Sequence, residues 1–258
     1  MIQEGYLYIA TDDRYLGEAV RSARSLRRYD EFADITLIAS KEIKDPLFNR
    51  VIIRPVQNAR NWFRGLGYRA EHMYQDSPYE KTFYVDTDTC FFDSCYHLFR
   101  ILDHFDICAA AAPVDHYEIN VDGEPLQGYY PYNLGVLLFR KNQENESLFR
   151  KWHEIYVTKI LGGTRRRGES DQTAFMEALL TSKARVYALS PIYNARADFF
   201  LDLKQEVKII HGRFPSYENM KRKINVTYKQ RLWDPAKRKC LFRKKKILPK
   251  YLEYVQSF

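Results

Sequence analysis

Apolar residues fall in short runs separated by amphipathic stretches, and that pattern predicts most of the elements. Gly5 to Ala10, with Tyr6, Leu7, Tyr8 and Ile9, reads as a first strand. Thr11-Asp12-Asp13 follows as a turn and helix N-cap. Leu16, Ala19, Val20, Ala23 and Leu26 then recur at helical spacing, which predicts a helix from Tyr15 to Tyr29. Ile35 to Ala39 and Val51 to Val56 are two further apolar strands. This β-α-β order implies a parallel sheet with crossover helices. A helix over Phe63 to Tyr74 leads to a strand at Thr82 to Val85. Beyond it, Tyr96 to Leu102 reads as helical, and Asp106 to Ala111 and Leu134 to Phe139 as strands. Glu146 to Leu161 is an amphipathic helix ended by Gly162-Gly163. Asp171 to Leu180 is a helix capped by Ser170, and Arg185 to Leu189 and Val207 to Ile210 are late strands. Asp115 to Pro131 lacks periodicity and carries Gly123, Pro125, Gly128 and Pro131; it reads as a long loop, a feature frequently functional in compact domains.

Composition narrows the class. With 258 residues, 45% hydrophobic and 15% aromatic, the chain can bury the core of a large α/β domain, which excludes wholesale disorder. The formal charge of +8 is uneven. Basic residues crowd the end of the chain, in Lys221-Arg222-Lys223, Lys237-Arg238-Lys239 and Arg243-Lys244-Lys245-Lys246. Such a segment suits an anionic surface, either membrane lipid or nucleic acid. Trp233, Leu241, Phe242, Ile247, Leu248, Tyr251 and Tyr254 are interleaved with it, a mixture that favours a peripheral membrane contact over nucleic acid. Cys90, Cys95, Cys108 and Cys240 fit no C-x-x-C or zinc spacing, and read as free thiols of a reducing compartment. The first residues run straight into a strand without signal-peptide character, and no apolar run reaches membrane-spanning length; the expected location is cytoplasmic, peripheral on a membrane face.

Tyr84-Val85-Asp86-Thr87-Asp88-Thr89 carries the strongest chemical signal. Side chains alternate along a strand, so Asp86 and Asp88 are expected on one face at its exit. A carboxylate pair there suits a hard divalent cation that also holds a substrate's phosphates. Open α/β sheets bind ligands at the carboxyl ends of their strands, so Thr11-Asp12-Asp13 and His211, which close two other strands, are drawn toward the same place. Neither a P-loop nor a dinucleotide fingerprint is present.

The ordered set Ala10-Thr11-Asp12-Asp13-Arg14-Tyr15, Arg69, Asp86-Thr87-Asp88, Asn133-Leu134-Gly135-Val136, Asp171-Gln172 and His211 resembles the GT-A glycosyltransferases, specifically the family-8-type retaining enzymes related to glycogenin and bacterial galactosyltransferases. The resemblance spans residues 5 to 215. It implies an α/β GT-A fold with a mostly parallel central sheet flanked by helices. Residues 1–215 would be the catalytic domain and 216–258 a basic aromatic segment packed on it or associated with a membrane surface. By the same resemblance, Asp86, Asp88 and His211 hold Mn²⁺, with Mg²⁺ as the alternative; imidazole among the ligands favours the softer ion. Ala10, Asp12, Tyr15, Arg69, Asp86, Thr87, Asp88, Asn133 and Gly135 would bind a nucleotide-diphosphate sugar, with UDP the favoured nucleotide. Tyr15 would stack on the base. Asp171 and Gln172 would sit at the reacting sugar, and a hydroxyl of a glycan, glycolipid or protein would be the acceptor. Gln172 is no strong nucleophile, which favours front-face attack with retention; a transient adduct through Gln172 or Asp171 is the alternative.

Two departures accompany the resemblance. His211 is followed by Gly212-Arg213-Phe214-Pro215 in place of H-x-x-G-x-x-K-P-W, so the usual diphosphate-binding lysine has no counterpart. Arg213, Lys221 or an arginine of Arg165-Arg166-Arg167 are the substitutes considered. Competing classes are a nucleotidyltransferase, for which Ala10 to Tyr15 lacks the expected glycine- and lysine-rich loop, and a nucleic-acid-binding module, which would not need Asp86 and Asp88.

Overall fold

Strand β1 (Ile2–Ala10) is buried on both faces, and its alternation divides the interior in two. Tyr6, Tyr8 and Ala10 face one core with Leu16, Ala19, Ala23 and Leu26 of helix α1 (Asp13–Arg27). Leu7 and Ile9 face the other, with Tyr84, Leu137, Phe149, Trp152 and Phe175. A computed structural model gives this architecture and describes residues 2–56, 62–112, 119–121, 124–126, 131–163, 170–226 and 230–242.

In chain order the remaining strands are β2 (Ile35–Ala39), β3 (Arg50–Ile53), β4 (Tyr79–Val85), β5 (Thr89–Phe91), β6 (Ile107–Ala111), β7 (Ile119–Val121), β8 (Glu124–Leu126), β9 (Tyr132–Arg140), β10 (Val186–Leu189), β11 (Ala195–Arg196), β12 (Leu201–Leu203), β13 (Ile209–His211), β14 (Arg231–Asp234) and β15 (Lys239–Phe242). The helices are α2 (Trp62–Gln75), α3 (Gln143–Ile155), α4 (Asp171–Leu180) and α5 (Tyr217–Ile224). A seven-stranded sheet runs β10-β6-β9-β4-β1-β2-β3. Every neighbouring pair is parallel except the two made by β9. Strand β9 therefore begins at the edge where β1 and β4 end, which brings Asn133 and Gly135 to the carboxyl side of the sheet. A smaller sheet, β11-β13-β5, continues from that edge.

Several local expectations are refined. The helical Tyr96 to Asp103 segment is a 3₁₀ helix, and α3 widens into a π-type turn over Tyr156–Leu161. Within the stretch read as a long loop, β7 and β8 pair as an antiparallel hairpin; Pro125 sits in β8, where its missing N–H had argued against a strand. The flanking residues 113–118, 122–123 and 127–130 lie outside the described residues. Ser170 caps α4 as expected, and Thr173 completes a reciprocal capping box.

Residues beyond 215 add structure of their own. Strand β14 pairs with β12 and β15, and Met220, Ile224 and Trp233 fill a third apolar cluster with Phe92, Leu203 and Ile210. Trp233 is fully buried and donates its indole N–H to Ala197 O at 2.8 Å, so it is a core residue and not the interfacial aromatic expected from sequence. Residues 243–258, with Ile247, Leu248, Tyr251 and Tyr254, lie outside the described residues.

Asp106, buried beside β6, ties the far side of the sheet. Its carboxylate accepts from Arg140 at the end of β9, from the backbone and side chain of Arg185 before β10, and from Asn142 at the cap of α3. Burial alone would raise its pKa; these donors reverse that and hold it at about 2.

Candidate active site

Strand β4 stops at Val85, one residue before the acidic pair, so Asp86-Thr87-Asp88 occupies the turn into β5 and not the strand itself. The alternation survives because backbone bonds fix the turn from three sides. Asp86 N donates to Gly135 O at 2.8 Å, Thr89 N to Asp86 O at 3.2 Å, and Gly212 N to Asp88 O at 2.9 Å. Thr87 points the other way, its hydroxyl on Glu18 of α1 at 3.2 Å.

Pairing of β13 with β5 brings His211 opposite Thr89 and over the acidic turn. His211 Nε2 lies 3.3 Å from Asp88 Oδ1 and 3.6 Å from Asp86 Oδ2. The ligand atoms of Asp86, Asp88 and His211 all fall within 4.8 Å of one another. Ligands around a small divalent cation stand about 3 Å apart, so this oxygen-oxygen-nitrogen set fits a divalent ion. On its other side the ring's Nδ1 meets Asn194 Oδ1 at 2.9 Å, and Asn194 Nδ2 donates to Asn133 Oδ1, also at 2.9 Å. That network fixes the ring with Nδ1 toward Asn194 and Nε2 toward the acidic pair.

Gly135 belongs beneath this cluster. A β-carbon there would fall 2.1 Å from His211 Cε1 and 2.9 Å from Asp86 Oδ2, so only glycine lets β9 pass so close. Gly212 serves differently: its φ of +129° turns the chain after His211 in a conformation that other residues rarely adopt.

Two guanidiniums flank the pair, each shared with a further carboxylate. Asp86 Oδ1 accepts from Arg69 Nη1 at 2.7 Å and from the Tyr84 hydroxyl at 2.5 Å. Burial and the Asp86 charge drive the Tyr84 pKa well up, keeping it a neutral donor. Arg69 also pairs with the buried Asp171 at the start of α4; burial opposes its cation, but the Asp86 charge more than offsets this. Burial likewise opposes ionisation of Asp88, yet the hydrogen bond and charge of His211 and the charge of Arg213 hold its carboxyl below the usual range. Arg213 Nη1 is 3.0 Å from Asp88 Oδ2, while its Nε and Nη2 donate to Glu18 at 2.7 and 2.9 Å.

These groups open onto a cavity of about 300 Å³, lined also by Thr11, Asp12, Tyr15, Asn133, Gln172 and Arg196. Asp12 both lines it and caps α1, accepting from Tyr15 N at 3.1 Å. The Tyr15 ring lies 6.0 Å from the Arg213 guanidinium. Gln172 Oε1 accepts from Asn133 Nδ2 at 3.1 Å. The fold thus gathers Asp12, Tyr15, Arg69, Asp86, Thr87, Asp88, Asn133, Gly135, Asp171, Gln172 and His211 around one cavity. Ala10 does not line it: the residue is buried, and its carbonyl accepts from Ser40 N. Of the lysine substitutes, Arg213 reaches the cavity, whereas Lys221 is committed to Tyr29 and Phe92 O; residues 165–167 lie outside the described residues.

Tyr84, Glu18, Asn194 and Arg196 are the site residues that sequence reading missed. Tyr84 was detectable, two residues before Asp86 and so on its face. Asn194 and Arg196 reach the site only through pairing of β11 with β13, which no local pattern announces.

The architecture is that of the GT-A glycosyltransferases. No protein-family profile and no curated protein matches the chain. Solved structures do. Mouse xyloside xylosyltransferase 1 in its apo form superposes with a TM-score of 0.55 at 16% identity, over 81% of this chain and 98% of that one. The glycosyltransferase GlyE of Streptococcus pneumoniae TIGR4 gives 0.56 at 16%, over 83% of this chain and 55% of that one. The galactosyltransferase LgtC, in complex with donor and acceptor sugar analogs, gives 0.55 at 16%, over 81% and 87%.

Proposed function

We propose that this protein is a metal-dependent glycosyltransferase. It moves a sugar from a nucleotide-diphosphate donor, a UDP-sugar by preference, to a hydroxyl of a glycan, glycolipid or protein, with retention of configuration. The observation carrying this reading is the convergence of Asp86, Asp88 and His211 on one point of a cavity whose other walls suit a nucleotide and a sugar. A resident Mn²⁺ would supply Lewis-acid stabilisation of the departing diphosphate.

The chain's own residues do the rest. Tyr15 and Asp12 form the base end of the cavity. Arg213, locked by Glu18 beside Asp88, is the fixed cation on the diphosphate side, the part played by lysine in the related family. Asn133, Asp171 and Gln172 form the sugar end. Asp171 is engaged by Arg69, and the Gln172 carbonyl already accepts from Asn133, so neither is a free nucleophile. Front-face substitution follows. The acceptor oxygen bonds to the anomeric carbon as the carbon–diphosphate bond breaks on the same side, and the acceptor proton passes to the leaving phosphate. The basic segment beyond residue 242 would hold the protein on the cytoplasmic face of an anionic membrane.

Donor hydrolysis tests the activity without knowledge of the acceptor. UDP-sugars should be hydrolysed slowly with Mn²⁺ and not with EDTA, and Asp86→Asn/Asp88→Asn should lose at least a hundredfold. No metal-dependent binding or turnover of any nucleotide sugar, or full activity in the double variant, would overturn the reading.

A further inference from the structure

Among the described residues three arginines line the cavity, and they differ in what compensates them. Arg69 is paired with Asp86 and Asp171, and Arg213 with Glu18 and Asp88. Arg196 has no carboxylate within ion-pair distance among the described residues, and its buried Nε has no hydrogen-bond partner. The Phe199 ring lies 5.5 Å from the guanidinium carbon. A buried N–H left unsatisfied is costly, and a guanidinium fork matches carboxylate or phosphate geometry.

Its position in the sheet says which ligand it faces. Arg196 is paired with His211, and His211 with Thr89, in the order β11-β13-β5. Arg196 is thus one strand beyond His211, on the side away from Asp88, Arg213 and Tyr15. Nucleotide and diphosphate lie on the Tyr15–Arg213 side under the function proposed above, on which this inference rests. Arg196 lies past them, where the chain's Asn194 and Asn133 lead to the sugar end.

We infer that Arg196 is a specificity-determining residue for an anionic acceptor: the hydroxyl that receives the sugar belongs to a molecule bearing a carboxylate or phosphate, which the Arg196 fork binds. On the other two walls each guanidinium is already shared between two carboxylates, whereas among the described residues the Arg196 fork faces none.

The test is anion binding to protein loaded with UDP and Mg²⁺, so that the diphosphate subsite is filled. Methyl glucuronoside, inorganic phosphate and neutral methyl glucoside are titrated while the Arg196 Nε–H resonance is followed by ¹⁵N NMR. Saturable shifts with glucuronoside or phosphate, and none with the neutral glycoside, are expected; the stronger of the two anions identifies carboxylate or phosphate as the acceptor group. Arg196→Gln should weaken that binding at least tenfold, and Arg196→Lys should recover part of it. Absence of saturable anion binding in the UDP-loaded protein overturns the inference and leaves the proposed function intact. So does a tenfold loss of UDP affinity in Arg196→Gln, which would assign the residue to the donor. Failure of UDP and metal to bind at all removes the proposed function as well.

Discussion

Gly135 is the residue at which backbone geometry and site chemistry meet most closely. Its missing side chain is the space that His211 and Asp86 occupy. Gly135→Ala forces the imidazole aside and should weaken metal binding 10- to 100-fold, with a stability loss of about 1–3 kcal/mol. Gly17→Ala is the matched control: nothing lies within 4 Å of its added methyl on α1, and it should stabilise by about 1 kcal/mol. Mn²⁺ titration by calorimetry and urea unfolding of both variants check this; undiminished metal affinity in Gly135→Ala would contradict it. Sequence made Gly135 visible as part of a donor-binding motif but gave no sign of its approach to His211, because contact across β9 and β13 is a property of the folded sheet. The grouping of Asp86, Asp88 and His211 was legible. Asn194, which orients the imidazole, was not, since its amide resembles any loop amide until β11 is paired.

Among the elements, strands were legible and their directions were not. Apolar runs located β1, β2, β4, β6 and β9, yet a run of apolar residues is the same read in either direction, and β9 proved antiparallel to both neighbours. Asp106 fastens that irregular strand to β10 and α3. Its folded pKa of about 2 lies below the unfolded value of about 3.9, so its contribution is full above roughly pH 4 and is lost as pH falls toward 2. Asp106→Asn should cost roughly 1–3 kcal/mol at pH 6, and the gap to the parent protein should shrink between pH 4 and pH 2. Urea midpoints across that range measure it; a gap that stays constant with pH would count against this account.

At the scale of the whole molecule, the basic end divides at residue 242. Residues 217–224 and 231–242 are built into the fold, with Trp233 buried and Arg231 bonded to Ile224 O and Gln205 O. Among the described residues, no helix is long and apolar enough to cross a membrane. The membrane contact proposed above would rest on residues 243–258, whose sequence has five Lys or Arg against one Glu. Each cation near an anionic leaflet adds about 1 kcal/mol. Removal of residues after 242 should abolish sedimentation with phosphatidylserine vesicles at low salt and spare thermal stability. Undiminished sedimentation would rule out the segment as the anchor. Truncation at 220 would confuse the two effects, since it also removes Ile224 and Trp233 from a buried cluster.

Pairing of β13 with β5 joins residues 209–211 to residues 89–91, far apart in the chain. During synthesis both aspartates emerge long before the histidine that joins them. Until that strand arrives, the growing polypeptide presents the carboxylate pair without its imidazole. The three-residue cluster exists only once residues 209–211 have met residues 89–91, and a proteolytic fragment ending before residue 207 would carry the acidic motif alone.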